Sequence, residues 1–590
     1  MTERHIDYFQ SLRNQAEATL NTTNKKASIV STSRVIVFLT WIVLLTYFAN
    51  ERQIEVLIWS TIVFMVVFAA LLKWGHQLSS SIRHMNARIK ICEEENKRAC
   101  LDFSGLPSGM EFSEKHHDFA QDLDLFGEHS IFQLVNRAES PQGKSHLASW
   151  LIRNHPFDTI IKRQEAIKEL KKFPNFCLAY QQQGKIVTLQ KAWNISESQL
   201  SGNISLSKSL SHLWWLSMIW VLLIVSIAVF KWPFSIIWGI IALNLPLLYL
   251  INKKLISKND HFPSAEWARS LHARYMLFVD QPWESTELAG LQHNLKEEQH
   301  TAIAIKKLRL LSDLVDARGN MLYQLFNAVL LTDAWIVSAL QSWHKRHSMA
   351  FAKSVDILHK LEAYQSMAMY AFAHPGFSFP ELTNEKILQF RKLGHPLIAE
   401  TSRVNNDFGL REGQIALITG SNMAGKSTFL RTVGVNMMLA YAGAPVCAVS
   451  AKVGVYQLFT SMRNADSLSE SVSSFFAELA RIKALLEKIK TRQNVFFLVD
   501  EVLKGTNSHD RHKGAEALIK QLSSYRSMGL LSTHDLALTS LEKQIDGLLN
   551  YSFESRVEGQ ELVFDYKLQA GPCQYFNATV LMQKMGIDLK

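Results

Sequence analysis

Cysteine pairs are missing from this chain. Its five cysteines (Cys92, Cys100, Cys177, Cys447 and Cys573) are odd in number, scattered and without a CxxC spacing, which argues against a disulfide framework and against a zinc site. They read as reduced thiols. No internal repeat, low-complexity tract or basic tail is visible, and the net charge of +10 is spread along the 590 residues. Such a surplus suits an anionic partner, nucleic acid or lipid surface, and equally a plain solvated surface. The first 33 residues are polar and helix-prone, unlike a cleavable secretory leader, so the apolar run behind them is expected to be retained. The length exceeds what one hydrophobic core sustains, and two or three globular units are expected.

What the chain does have is apolar runs in two close pairs: residues 35–50 and 56–72, then 213–230 and 232–251. None carries a charge, Asn244 is the notable polar residue within them, and Trp stands at the ends of the second pair. Their lengths lie near the roughly 17 to 25 residues of a spanning helix, and interfacial Trp fits that reading. A buried helical hairpin in a large core is the competing reading. Arg4, Arg13, Lys25, Lys26 and Arg34 precede the first run, Lys73, Arg83, Arg88 and Lys90 follow the second, and Lys253, Lys254 and Lys258 follow the fourth. The positive-inside tendency then puts both ends of each hairpin on the cytoplasmic side of the inner membrane.

A nucleotide site is legible further on. Gly420, Gly425, Lys426 and Ser427 fit GxxxxGK[ST], behind the strand-like "QIALIT" and ahead of a helical stretch. The loop Gly420, Ser421, Asn422, Met423, Ala424, Gly425, Lys426, Ser427 and Thr428 would cradle phosphates with its backbone N–H groups. Lys426 would neutralise the β/γ oxygens, and the Ser427 hydroxyl would face Mg²⁺. The apolar run "VFFLVDE" ends in Asp500, expected in the Mg²⁺ shell, and Glu501, expected to polarise the attacking water. In "GLLSTHDL" His534 falls just past a strand end, where it can contact the γ-phosphate. The bland alternatives are a glycine turn, a solvated strand end and a capping histidine.

The stretches "TGSNMAGKSTFLR", "DEVLKGTNSHDRHKGAEAL", "STHDL", "LGHPLI" and the tail "FDYKLQAGPCQYFNATVLMQKMGI" resemble the MutS family, the ATPases of DNA mismatch repair, and residues 124–170 resemble the start of that family's helical core. The resemblance implies ATP and Mg²⁺ as ligands and a homodimer with a composite site, in which Ser473 of one subunit reaches the nucleotide of the other. It also implies adenine stacking by Tyr566, with Arg403 opposite. Departures are Ser421 where Pro is usual, Leu503-Lys504 where Gly-Arg is usual, and no room for the domain that reads a mismatch with a Phe-x-Glu wedge. Phe112-Ser113-Glu114 and Phe126-Gly127-Glu128 match that tripeptide but read as chance.

The expected architecture is a carboxy-terminal α/β P-loop ATPase domain plus an all-α core/lever domain and four transmembrane helices in two hairpins. The boundaries are 1–34 cytoplasmic segment, 35–75 first hairpin, 76–210 first part of the core, 211–252 second hairpin, 253–375 second part of the core, and 376–590 ATPase domain. Turn-rich stretches at 102–118, 196–208 and 373–386 read as linkers. The expected function is a membrane-anchored ATPase that couples nucleotide turnover to double-stranded DNA, weakly or non-specifically bound, or to another partner, with lipids around the spans. An ATP-gated scaffold and a transporter-like ATPase are the alternatives.

Overall fold

The computed structural model describes residues 3–114, 117–190, 213–230, 232–233, 235–256, 264–297, 300–318, 321–421, 423–462, 474–491, 494–504, 506–558 and 561–574. Asn422, Ser473, the expected linker 196–208 and most of the tail motif lie outside these residues.

Two helices, α1 (Glu3–Asn50) and α2 (Ile54–Ala99), form an antiparallel hairpin. No Pro occurs in either, and α1 also lacks Gly, so the helix carries on through the polar-to-apolar change at residue 35 that marks a boundary in sequence. At 1.5 Å per residue each helix is roughly 70 Å long. The pair is closed by a stack of Trp41 on Phe64 at 4.4 Å. It is also closed by Arg34, which donates to the Leu71 carbonyl at 3.1 and 3.3 Å and lies where a Cβ on Gly75 would clash.

The polar base of the hairpin is sunk in a helical core made of α3 (Ile131–Val135), α4 (Pro141–Ile152), α5 (Phe157–Leu170), α6 (Pro174–Leu189), α9 (Ala265–Val279), α10 (Thr286–Glu297), α11 (His300–Ala317) and the long α13 (Thr332–Ala373). Phe9, Ile91 and Cys92 join its apolar centre. Glu95 pairs with Arg98 and Arg137, each at 2.9 Å. Burial would raise Glu95, but Arg137 and Arg98 outweigh it and hold the carboxyl well below the usual range.

Between α6 and α9 lie α7 (Trp214–Phe230) and α8 (Ile236–Ile256), and α12 (Met321–Leu330) precedes α13. Here the expectation of four long spans is corrected. Among the described residues only α1 and α2 are long and apolar enough to cross a membrane. The apolar parts of α7 and α8 are Trp214–Ile227 and Ile236–Ile251. Trp232 and Pro233 are non-helical, and each apolar piece reaches roughly 21 to 24 Å against a hydrocarbon core of about 30 Å.

The carboxy-terminal part is α/β. A six-stranded sheet runs in the order β10-β9-β4-β8-β7-β6, formed by β4 (Ile415–Gly420), β6 (Gln457–Ser461), β7 (Val495–Asp500), β8 (Met528–Thr533), β9 (Leu548–Glu558) and β10 (Glu561–Ala570). Every pair is parallel except β9 with β10. β4, β7 and β8 are buried along their whole length, as continuous apolar runs demand of strands covered on both faces. A second sheet, β1-β5-β2-β3, is built from β1 (Glu381–Thr383), β2 (Ile387–Leu393), β3 (Asn406–Arg411) and β5 (Ser450–Gly454). Helices α14 (Lys426–Tyr441), α15 (Ser474–Thr491) and α16 (Ser508–Ser524) complete the domain.

The stretch 102–118 is a joint between the two bodies. Phe103 and Leu106 are buried, and Gln133 binds both their carbonyls. At its end the Asp118 carbonyl accepts from Thr460 N, and its carboxylate pairs with Lys488. Asp122 then takes Thr460 Oγ1 at 2.6 Å and Met462 N at 3.1 Å. The stretch 373–386 is likewise tied down, by Ser378 to Val446 and by β1.

Candidate active site

The register of three neighbouring strands assembles the site. Thr419 pairs with Thr533 and Asp500 with Ser532, so the residues just beyond each strand, the loop after Gly420, Glu501 and His534, emerge along one carboxyl edge. That edge is where open α/β sheets place ligands. Helix α14 starts there, with Gly425 as its cap in the left-handed region.

Lys426 is 5% exposed and its ammonium donates to the carbonyls of Gly420 at 2.8 Å and Ser421 at 2.9 Å. Burial lowers its pKa, with Glu501 and Asp500 opposing. Ser427 Oγ donates to Asp500 Oδ2 at 2.6 Å, while Ser532 Oγ donates to the other Asp500 oxygen. Glu501 sits at φ 53°, a left-handed conformation unusual for a side-chain-bearing residue. Its N–H reaches Ser532 Oγ at 3.1 Å, His534 Nε2 lies 2.8 Å from its carboxylate, and Lys504 Nζ 3.1 Å from the other oxygen. The His534 hydrogen bond, then Lys504, overcome burial and hold Glu501 at about 2.

Both departures after Glu501 therefore have local partners. Leu503 is buried against Gly514 of α16, and Lys504 pairs with the carboxylate. Sequence reasoning did not single out Ser532 as a site residue. Its signal was present in "STHDL", where the hydroxyl sits one residue before the strand end.

A cavity of about 430 Å³ lies over the loop, lined by Met423, Ala424, Gly425, Thr428 and Tyr566 among others. The Tyr566 ring stands against Gly425, where a Cβ would come within 3.0 Å of it. Asn406 fixes the tyrosine by donating to its carbonyl at 3.0 Å. Arg403 does not join it. The turn in which Arg403 N donates to the Ala399 carbonyl carries the guanidinium over Phe377, at 5.5 Å, into a separate cavity with His374 and Cys447. Ser402 and Val404 line the loop cavity in its place.

The residues present fit a magnesium nucleotide. The loop backbone is tight, since a Cβ on Gly420 would fall 2.6 Å from the Phe553 carbonyl, and the Ser421 hydroxyl is buried with no hydrogen-bond partner among the described residues. The Ser427–Asp500 pair is an oxygen donor set of the kind Mg²⁺ takes.

Residues 416–583 match the family model MutS domain V. Similar curated proteins, each described as "DNA mismatch repair protein MutS", include that of Acetivibrio thermocellus, 32% identical over 203 residues (33% of this chain, 23% of the relative). They include that of Aquifex pyrophilus, 33% over 223 residues (37% and 26%), and that of Listeria monocytogenes, 30% over 274 residues (45% and 30%). The chain spans about a quarter of the length of the curated relatives it matches.

Proposed function

We propose that this chain, whose residues 416–583 match MutS domain V, is a membrane-anchored, dimeric ATPase of the MutS type that couples ATP binding and hydrolysis to engagement of duplex DNA or another partner. The observation that carries the ATPase is the row of Lys426, Ser427–Asp500 and Glu501–His534 on one sheet edge. Loop N–H groups and Lys426 bind the phosphates. Ser427 and Asp500 would hold Mg²⁺, which when bound neutralises charge on the phosphate oxygens. Glu501, kept ionised by His534 and Lys504, accepts the proton of the attacking water, and His534 stands between Glu501 and Lys426, 3.4 Å from the ammonium, where it reports on both. Tyr566 stacks on the base, and Ser473 of the partner subunit closes the site.

The helices α1 and α2 anchor the protein in the inner membrane, with the ATPase on the cytoplasmic side. Fourteen of the large hydrophobic side chains from Val35 to Met65 stand more than a third exposed, as lipid contact requires.

Mixed dimers test the composite site. Ser473→Ala and Lys426→Ala should each be nearly inactive alone, and together regain one working site per heterodimer, because the Lys426→Ala subunit lends its Ser473 to its neighbour. Full activity of Ser473→Ala alone, or no gain on mixing, would remove the proposal. The detergent-solubilised ATPase, assayed with homoduplex, mismatched and branched DNA, tests the partner.

A further inference from the structure

The polar residue Asn244, placed in an apolar helix, finds its use at a break in the chain. Helix α12 and the start of α13 are together long and apolar enough for a span but meet at 87°. The break is at Leu331, in the left-handed region at φ 51° and fully buried. A bend of this size leaves carbonyls at the end of one helix and N–H groups at the start of the next without helical partners. Side chains supply them. Asn244 Nδ2 of α8 donates to the carbonyls of Ala328 and Val329, each at 2.9 Å, and Ser217 Oγ of α7 donates to that of Leu331 at 3.1 Å. Asn327 Oδ1 accepts from Asp333 N at 2.9 Å. Trp220 holds the Asn244 amide in place by donating to its oxygen at 3.0 Å.

Leu331, Ala334 and Val337 form a small apolar cluster with Leu248 and Ile251, separate from the main core. The opposite faces are bare: Leu325 and Phe326 on α12, Trp335 on α13, Leu222 on α7 and Trp238 on α8 are all more than two-fifths exposed. Irregular backbone is tolerated at membrane depth only where it is buried in protein and its polar groups are satisfied. This break meets that condition, its buried charge, Asp333, being paired with Arg318 at 3.0 Å and Tyr323 at 2.8 Å. An aqueous surface would demand neither these side-chain caps nor so many exposed aromatic and aliphatic groups.

We propose that α7, α8, α12 and the first turns of α13 form a second bilayer-embedded body, in which α12 is a re-entrant helix that dips into the hydrocarbon and turns back at Leu331. Its occupant is lipid, argued from the satisfied break and from the exposed apolar side chains on each of the helices that share the Leu331 cluster. This rests on the membrane reading of α1 and α2. The expected α-helical core is thereby shortened: residues 321–337 belong to the membrane body, and α13 carries the chain from that body to the ATPase domain without interruption as far as Ala373.

The test uses the full-length protein in membrane vesicles with Cys100→Ser, which removes the exposed cysteine and leaves four buried ones. Val43→Cys, Leu222→Cys and Phe326→Cys are added one at a time, and the chain with Cys100 is the water-exposed reference. A membrane-impermeant maleimide is expected to label position 326 roughly ten times more slowly than Cys100, as at positions 43 and 222, because a thiol in hydrocarbon stays protonated and out of the reagent's reach. Bimane attached there is expected to be quenched by dibrominated phosphatidylcholine as at position 43. Ready labelling at 326 with protection at 43 overturns the re-entrant helix and leaves the anchor standing. Ready labelling at both overturns the membrane reading itself. Protection at 326 without bromolipid quenching means that a second copy or another protein covers α12, and also overturns the proposal. Asn244→Leu, which strips two carbonyls of their donors, is expected to raise labelling at 326 while leaving 43 protected.

Discussion

At the residue scale the proposed hydrolysis turns on Glu501. Its carboxylate is oriented by His534 and Lys504 and set on a left-handed backbone, so the acceptor atom is fixed before any substrate arrives. Glu501→Gln keeps the shape but not the base, and turnover is expected to fall by about 10² to 10⁴ with ATP binding retained. Single-turnover hydrolysis alongside nucleotide binding checks this, and loss of binding would make Glu501 a structural residue. A second residue, His374, sets a pH limit. Buried at the end of α13 and stacked on Phe377, it is pushed by desolvation to about 3. The unfolded chain binds a proton there near pH 6.5, so it holds more protons than the native state between those values. Stability contributed by the neutral ring is full above 6.5 and is lost as pH falls toward 3, on the order of 5 kcal/mol in total. Melting temperature against pH should therefore flatten in His374→Gln, and an unchanged slope would assign the acid sensitivity elsewhere.

At the scale of elements, the proposed anchor and the core share helices. The same α1 and α2 that carry the exposed apolar stretch bury Glu95 between Arg98 and Arg137, all three at most 2% exposed. Glu95→Ala leaves two cations buried with no countercharge, and breaking such a cluster costs about 3 to 5 kcal/mol. Thermal unfolding should record that loss, and a change below about 1 kcal/mol would mean that the hairpin is held by its apolar contacts alone. Gly75 belongs to the same argument, because any side chain there displaces Arg34 from the Leu71 carbonyl.

For the whole molecule, the question is what could hold duplex DNA, one of the proposed partners. Among the described residues no strand precedes Glu381. The two Phe-x-Glu phenylalanines pack instead on the core, Phe112 5.8 Å and Phe126 5.7 Å from Phe132. The basic face of α11, with Lys306 and Lys307 exposed, offers contacts to phosphate that carry no base information. Binding to duplex DNA is expected to be weak, to fall steeply with salt, and to differ little between paired and mismatched duplex. Equilibrium titration at several salt concentrations measures all three, and a clear mismatch preference at physiological salt would refute the expectation.

Sequence by itself determined the proposed chemistry of the carboxy-terminal edge. Phosphate binding needs glycines, a lysine and a hydroxyl at fixed spacing on a short loop, and an acidic pair at the end of a buried strand is a local pattern, so Lys426, Ser427, Asp500, Glu501 and His534 were legible as candidates one segment at a time. Tertiary structure alone decided how far apart those segments lie, because the register of β4, β8 and β7 is a non-local pairing. It also decided that Ser532 holds Asp500 and that Arg403 faces away from Tyr566. The apolar runs were legible as composition, but four similar runs became one long hairpin and one short pair. The difference lies in where Trp232-Pro233 interrupts the helix and in the caps that Asn244 and Ser217 provide to a bend some 80 to 110 residues downstream. Hydropathy counts side chains along the chain, whereas the partners of a broken backbone are set by which helices pack together.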